Sequence, residues 1–579
     1  MKRRDFLKTT LAAGAAAAVP GAFFTLESCS GGGSKSKING KADTLVLGNI
    51  ITIDGGVPFA EAMTIKNGLV QFVGSKAAAQ KYCDANTKVV DYGTNSVYPG
   101  FMEAHCHGAG AGEVEKAIKL FDAMSYREYR DIIADYIAKH PDMSEYRIAG
   151  WRVLLDGPVT KELLDSICSD KPVFGGSMDG HNFLLNTKAM AKFGIDKSFC
   201  EKYGPVMAPA DADGNPNGFF CETACADIMK LIKRTPEAIR DNLLLWQKFA
   251  FEHGYVAAAE AGVNMIEGSH EVYKKLAESG EMKLRTRAFW NVVQDEASEQ
   301  IVTKVDQIKK ECTNEYYKIV GLKIFIDGVV ESHTGLLVEP YTDDPSTTGL
   351  NRYPDKDKLN NLVLAAHRHG LPTHTHTIGD GAVRYMLDAI QYAKDTTGDM
   401  SIRDMLAHIE LVKDSDIKRF AKYNVSAIVA PLWAPKNAIT PFEQEVQYLG
   451  DERASVNYQA INSFVGLGIN AAQHTDYPVS REVNVPRSIY CAVTRCLPEG
   501  GDKTLRDAKE AVSRLEALRE LTINVAYLWN EENHLGSLTP GKAANWVVYN
   551  CDFIDDDINT IPDAKLLNVV VDGEEVYKA

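Results

Sequence analysis

The sequence predicts an α/β protein built on a parallel sheet, with a smaller β unit formed by the two ends of the chain. Strand-like apolar runs alternate with helical patterns through the middle of the chain. Short apolar runs separated by turn residues lie near both ends. The length of 579 residues also exceeds one ordinary domain core. At this stage the parallel sheet is either open or closed into a barrel.

Both terminal β segments carry a hairpin signal. Residues 43–95 contain Asn67-Gly68 between two apolar runs, and residues 535–579 contain Asp572-Gly573 in the same setting. Asn-Gly and Asp-Gly favour two-residue turns because both positions tolerate a positive φ. We expect the two segments to join in one accessory β-sandwich.

Residues 96–485 carry the alternating pattern. The predicted short strands are Ser96–Phe101, Pro172–Gly176, Lys318–Ile326, Leu371–His376, Asp404–Ile409, Val425–Ala430 and Ile469–His474. Helical patterns cover 117–140, Asp241–His253 and Leu359–His369. Residues from about 185 to 240 fit the alternation poorly, so an insert that forms a lid or small subdomain is expected there. Residues 486–534 are expected to form a helical connection.

Composition excludes several classes of function. Apolar residues make up 45% and charged residues 24%, which is ordinary globular composition. The net charge of −15, without a basic block, argues against nucleic-acid binding. Eleven cysteines occur without any CxxC pair, so a zinc ribbon or thioredoxin-type motif is not expected. We expect mostly reduced, buried cysteines.

The first residues indicate export. Residues 1–28 have the features of a twin-arginine signal, with Arg3-Arg4 followed by a short apolar stretch that cannot span a bilayer of about 30 Å. Leu26–Cys29 resembles a bacterial lipobox, and residues 29–42 form a flexible tether. The predicted location is the periplasm or cell envelope, with a lipid anchor at Cys29. Cleavage to a soluble secreted protein is the alternative.

Candidate metal ligands lie at the ends of predicted strands. His105 and His107 are separated by one residue at a strand end, so both imidazoles can reach one ion. The other candidates in this position are Lys323, His376, His408 and Asp476. Any one of these residues taken alone is more often structural than catalytic. Strand ends of a barrel meet on one face, however, and together the residues indicate a metal site there.

This set of motifs resembles the amidohydrolase superfamily, in the long branch that includes N-substituted formamide deformylases. The resemblance covers most of residues 43–579. The matching motifs are Pro99–His107, Asp179–Met190, Gly321–Gly328, His376–Ala382, His408–Val412, His474–Pro478 and Leu535–Asn545. It implies a (β/α)8 TIM-type barrel with a small β-sandwich domain built from both chain ends.

The resemblance also implies a role for each candidate ligand. His105 and His107 would bind the more buried of two divalent ions, expected to be Zn2+. Lys323, carbamylated by CO2, would bridge the ions, and His376 and His408 would bind the second. Asp476 would contact the first ion and shuttle a proton.

The sequence departs from the pattern of the branch at four places. Glu103 stands where Asp is common, and His408 lacks a directly preceding Glu. His474-Thr475 replace Gly-Ser before Asp476, and His374 is an additional histidine. For His374 a supporting role beside the ligands is expected, with substitute ligand and proton relay as alternatives.

The implied function is hydrolysis of a C–N bond in an amide, formamide or cyclic amide, other than a peptide bond, by a metal-activated hydroxide. A small molecule is the expected partner. Membrane contact is expected only through Cys29, and a homodimer is a common state for barrels of this size. The substrate-binding candidates are His181, His333 and Trp151. Glu222 is a candidate for gating the insert.

Two other functions stay open. The first is a mononuclear-metal deaminase acting on an aminated ring, which Lys323 disfavours because one ion needs no bridging group. The second is a non-catalytic envelope lipoprotein that binds metal or solute. The apparently complete ligand set argues against it.

Overall fold

The computed structural model describes residues 38–152, 159–293, 296–480 and 483–579. Residues 1–37, which hold the export signal, Cys29 and most of the tether, lie outside the described residues. The strands are β1 Thr44–Ile51, β2 Phe59–Lys66, β3 Leu69–Gly74, β4 Lys88–Pro99, β5 Phe101–Cys106, β6 Ile118–Lys119, β7 Tyr146–Trp151, β8 Val173–Ser177, β9 Asn182–Leu185, β10 Phe219–Cys221, β11 Tyr255–Ala261, β12 Arg285–Asn291, β13 Tyr317–Phe325, β14 Thr373–Thr377, β15 Asp404–His408, β16 Val425–Val429, β17 Ala471–Gln473, β18 Trp546–Tyr549, β19 Leu566–Val571 and β20 Glu574–Lys578.

The α-helices surround these sheets. In chain order they are α1 Lys76–Ala79, α2 Gly108–Lys116, α3 Tyr126–Lys139, α4 Lys161–Ile167, α5 Thr187–Phe193, α6 Lys197–Met207, α7 Glu222–Leu231, α8 Pro236–Glu252, α9 Ser269–Glu278, α10 Ser298–Glu311, α11 Lys356–Arg368, α12 Asp380–Thr397, α13 Asp414–Lys422, α14 Phe442–Leu449, α15 Asp451–Ser455, α16 Ile461–Gly466, α17 Val485–Thr494, α18 Arg514–Glu520 and α19 Ile523–Leu528. None of these helices is both long enough and apolar enough to cross a membrane.

The central sheet is parallel and has eight strands in the order β17-β16-β15-β14-β13-β12-β11-β5. It curls so that its two edge strands meet. There the backbone N–H of His107 donates to the carbonyl of Tyr477 at 2.7 Å, and that of Asp476 donates to the carbonyl of His105 at 3.1 Å. The predicted (β/α)8 barrel is therefore confirmed, and its strand ends place candidate ligands on one rim.

The two chain ends form one seven-stranded sheet, in the order β20-β19-β18-β4-β1-β2-β3. Strand β18 pairs with β4, which links the C-terminal segment to the N-terminal one. The turns between β2 and β3 and between β19 and β20 have positive φ at both central residues, Asn67-Gly68 and Asp572-Gly573. The predicted accessory β domain from both ends is confirmed.

A third sheet covers the rim of the barrel. Its five strands run in the order β10-β9-β8-β7-β6 and span residues 118–221. It begins well before the insert predicted at about 185–240. Strand β8 is a short buried run, and such a run has the same pattern in the barrel and in this sheet, so periodicity could not separate them.

Helix boundaries follow their caps. The helix predicted over 117–140 begins only at Tyr126, because the Ser125 side chain accepts a hydrogen bond from the N–H of Glu128. Helix α11 is capped by Asp355, and Gly370 follows its end with a φ of +65°. All cysteines in the described residues are free thiols, and every one except Cys83 is buried.

Candidate metal centre

The six candidate ligands converge at the carboxyl-terminal rim of the barrel. They lie on β5 and directly after it, on β13, on β14, at the end of β15 and after β17, and they are His105, His107, Lys323, His376, His408 and Asp476. Parallel neighbours hold them in register, since Lys323 pairs with His374, and His408 pairs with Thr377.

The Asp476 carboxylate is the centre of the cluster. Its Oδ1 lies 3.3 Å from His105 Nε2 and 3.4 Å from His107 Nε2, and its Oδ2 lies 3.9 Å from His408 Nδ1. Lys323 Nζ is 3.2 Å from His105 Nε2. Ligand atoms of His105, His408 and Asp476 all lie within 4.8 Å of one another, which is close enough to share one ion.

His376 borders this cluster. Its ring centre is 4.6 Å from that of His408, and its Nδ1 is 3.1 Å from Asp327 Oδ1. A hydrogen bond at Nδ1 fixes the orientation of the ring and leaves Nε2 as the atom that can bind an ion. His376 thus lies beside the cluster on the side of His408.

Burial keeps the histidines neutral. It lowers the pKa of His105, His376 and His408 well below the usual range for histidine, and that of His107 to about 3. A neutral imidazole has a lone pair for a metal ion. Burial also raises the pKa of Asp476 to about 7, while the nearby Lys323 acts in the opposite direction.

Several polar atoms of the centre lack partners. Both ring nitrogens of His408 and Oδ1 of Asp476 are buried and make no hydrogen bond within the described part of the chain. Leaving such atoms unsatisfied costs free energy, and most buried polar atoms in proteins are paired. The nitrogen and oxygen donors here are those that bind divalent zinc. The residues present therefore fit a metal ion.

Strained backbone orients two ligands. His408, Ile409 and Asp476 have φ values of +77°, +47° and +56°. Non-glycine residues in this region cost roughly 1–3 kcal/mol each, and they cluster at functional sites. These conformations occur where the chain leaves β15 and β17, and they set the positions of the two candidate ligands His408 and Asp476.

Two buried carboxylates support the ligands. Glu103 accepts hydrogen bonds from the N–H of His105 at 3.0 Å and from the Thr475 hydroxyl at 2.8 Å, so it joins the two edge strands. Asp327 accepts from the N–H groups of Ile378 and Gly379 as well as contacting His376. Sequence reasoning assigned neither residue a role, because acceptors of backbone N–H groups have no characteristic spacing.

Two further histidines lie next to the ligands. His374 Nε2 is 2.5 Å from His105 Nδ1, on the side of that ring away from Asp476. This contact favours the expected supporting role. The His474 ring centre lies 4.9 Å from that of His408, and neither of its ring nitrogens has a hydrogen-bond partner in the described residues. No role for His474 was predicted.

A cavity of about 440 Å³ opens between the rim and the five-stranded sheet. It is bordered by His107, His376 and Asp476 from the centre and by His181, Glu222, Phe325 and Arg352 around it. A space of this size accommodates a small molecule directly beside the ligands. His181, a predicted substrate contact, therefore lines the cavity.

The other two predicted substrate contacts lie elsewhere. Trp151 is completely buried in the core of the five-stranded sheet, where its indole N–H donates to the Gly175 carbonyl at 2.9 Å. His333 pairs with Asp343 at 3.0 Å and packs on Tyr341. Neither residue borders the cavity, and their proposed substrate contacts stay predictions. The prediction for His333 rests on its position after Asp327-Gly328, and that for Trp151 on its position after Ala149-Gly150.

Comparison with known proteins agrees with this architecture. The family model described as "Amidohydrolase family" matches residues 88–577, and the model of the twin-arginine translocation signal sequence matches residues 1–20. An uncharacterized metal-dependent hydrolase from Pyrococcus horikoshii superposes with a TM-score of 0.71 at 21% identity, covering 89% of this chain and 99% of that one.

Two curated relatives are similar over most of their length. The protein LONG AFTER FAR-RED 3 of Arabidopsis thaliana is 27% identical over 93% of this chain and 92% of its own. The N-substituted formamide deformylase of Arthrobacter pascens is 23% identical over 92% of this chain and 98% of its own.

Proposed function

This chain belongs to the amidohydrolase family, and on that premise we propose that it is an exported hydrolase that cleaves the C–N bond of a small amide, formamide or cyclic amide. The observation that carries the proposal is the buried group of neutral histidines around Asp476, with unpartnered ligand atoms facing one another beside a cavity. The family is metal-dependent, and its match supports hydrolysis of bonds other than peptide bonds. The signal match supports export.

Two divalent ions fit the donor set. His105, His107 and Asp476 would hold the first ion, and His376 and His408 the second. Lys323 would bridge them as a carbamate, which replaces a buried positive charge by a negative one. Divalent ions such as Zn2+, when bound, lower the pKa of a water molecule and polarise a substrate carbonyl.

In this proposal Asp476 moves the proton. Its carboxylate faces the cavity and has one oxygen near each half of the ligand set. A carboxylate within hydrogen-bond reach of the attacking water can act as its general base. The carboxylate would accept a proton from the attacking water and deliver it to the leaving nitrogen as the C–N bond breaks. The five-stranded sheet above the rim restricts access of bulk water.

A substrate panel tests the proposal. Purified protein reconstituted with zinc would be offered N-formyl, N-acyl and cyclic amide compounds, with amine release as the signal. We expect turnover of at least one class, and D476N should reduce it by 10³-fold or more, in line with loss of a general base that removes about 10²–10⁴-fold. D395N, which changes an exposed aspartate on α12, is the matched control.

Other outcomes separate the alternatives. Ammonia release from aminated rings with one ion per chain would indicate the mononuclear deaminase. Metal binding without turnover of any compound would indicate a non-catalytic binding protein.

Anchoring through Cys29 is a separate proposal. Release of the mature protein from cells without detergent would contradict it.

A further inference from the structure

The five-stranded sheet contributes His181 to the cavity beside the candidate metal centre. His181 lies between β8 and β9, and its ring centre is 4.9 Å from that of His376. Its backbone N–H donates to Asp179 Oδ1 at 2.8 Å, which fixes the turn that presents it. The side chain is 11% exposed, and that exposed part faces the cavity.

Glu222 holds the His181 ring from behind. Its two carboxylate oxygens lie 3.1 and 3.2 Å from His181 Nδ1. The carboxylate is completely buried, so this hydrogen bond to a charged acceptor is stronger than an exposed one. His181 Nε2 makes no hydrogen bond to any described residue. It is the ring atom left for a molecule in the cavity.

The barrel fixes Glu222 in turn. The Thr334 hydroxyl donates to Glu222 Oε1 at 2.8 Å, and Arg352 Nη1 lies 3.3 Å from Oε2. The backbone of Gly328 approaches so closely that a Cβ there would lie 2.1 Å from Oε1. Glu222 itself has a φ of +52°, a strained conformation for a non-glycine residue. Such a heavily constrained carboxylate has one orientation.

We propose that Glu222 is a positioning residue that orients His181, so that Nε2 of this histidine contacts the substrate next to the bond that is cleaved. The inference rests on the proposed function. A carboxylate that accepts from Nδ1 of a histidine sets the tautomer and orientation of the ring, which determines what the other nitrogen can do. The five-stranded sheet thus completes the site instead of only covering it.

A purely structural role for Glu222 predicts a different result. If the residue only joined the sheet to the barrel, its loss would lower stability, and any effect on catalysis would be independent of His181. If it acts through His181, the two residues must be coupled. A double-mutant cycle measures this coupling.

The cycle uses H181Q, E222Q and the double variant, assayed on the best compound of the panel. We expect each single change to lower kcat/KM by about 10–100-fold, as for other groups that orient site residues. The double variant should be no worse than H181Q, and metal content should stay at the wild-type level. E445Q, which alters a buried glutamate paired with Arg506 away from the cavity, is the matched control and should keep wild-type kcat/KM.

Independent multiplication of the two effects, or wild-type kcat/KM in E222Q, would overturn the inference. If E222Q does not fold, E222D replaces it in the same cycle. Crystal structures of E222A, which has no acceptor for His181 Nδ1, give a readout without activity: the His181 ring should turn away from residue 222, and an unchanged ring would also overturn the inference. An inactive wild-type protein would contradict only the proposed function, because the structures still test the contact.

Discussion

Replacing Lys323 by methionine should stabilise the metal-free protein and prevent it from binding two ions. The Lys323 side chain is completely buried, and no carboxylate of the described residues lies within ion-pair distance of its Nζ. Burial lowers its pKa from 10.5 to about 7. One pKa unit corresponds to 1.36 kcal/mol, so an unmodified ammonium here costs about 5 kcal/mol.

The pH dependence follows from linkage. Between about pH 7 and 10.5 the unfolded chain binds the Lys323 proton and the folded chain does not, so the stability of the metal-free protein should rise with pH in this window. At pH 8 the remaining penalty is about 3 kcal/mol. K323M removes it. Metal-free K323M should therefore be more stable than metal-free wild type by about this amount, and the gain should vanish near pH 10.5.

The assay is urea unfolding of chelator-treated protein in bicarbonate-free buffer, followed by metal titration. K323M should then bind fewer than two ions, because it has no amine that CO2 could convert to the bridging carbamate. The matched control is K394M: Lys394 is equally buried but lies 3.3 Å from Asp404 Oδ2 and donates to the Ile402 carbonyl, so its loss should destabilise by about 3–5 kcal/mol. A metal-free K323M less stable than wild type, or one that still binds two ions, would refute the reasoning.

Three further predictions concern the metals themselves. Chelation should lower the melting temperature, because an ion at a free concentration of 100 times its Kd adds about 2.7 kcal/mol to the free energy of unfolding. An unchanged melting temperature would contradict a bound metal. H374L removes the partner of His105 Nδ1 and should weaken the first ion by about 10–100-fold in chelator competition, with the second ion unaffected. D327A removes the acceptor of His376 and should weaken only the second ion by a similar factor. Equal losses of both ions in either variant would argue against separate sites.

The sequence was informative wherever chemistry is local. Asn67-Gly68 and Asp572-Gly573 predict their hairpins because a two-residue turn needs a positive φ at both positions, and the structure has it. The candidate ligands were found because a parallel barrel collects strand ends on one rim. Their convergence around Asp476 is a geometric fact, and their roles stay predictions.

The errors arise where a pattern fits two environments. The sequence of β8 predicts a barrel strand, because the residues of a buried parallel strand are apolar in any sheet. Trp151 is the last residue of strand β7, yet its indole is buried by packing that depends on residues far along the chain, such as Phe219. Glu103 and Asp327 could not be found, since what defines them is which backbone N–H groups happen to point at them in the folded chain.

The position of the centre at the seam of the barrel links metal binding to the fold. Within the described residues β5 and β17 form no regular ladder, and their edges meet through hydrogen bonds at His105, His107 and Asp476, with Glu103 bridging to Thr475. The side chains of His105, His107 and Asp476 are also the candidate ligands of the first ion. An ion bound there would join the first and last strands where the backbone joins them least. The strained turn at Asp476 fits this arrangement, because the conformation that costs free energy in the chain alone is the one that brings the carboxylate across the seam.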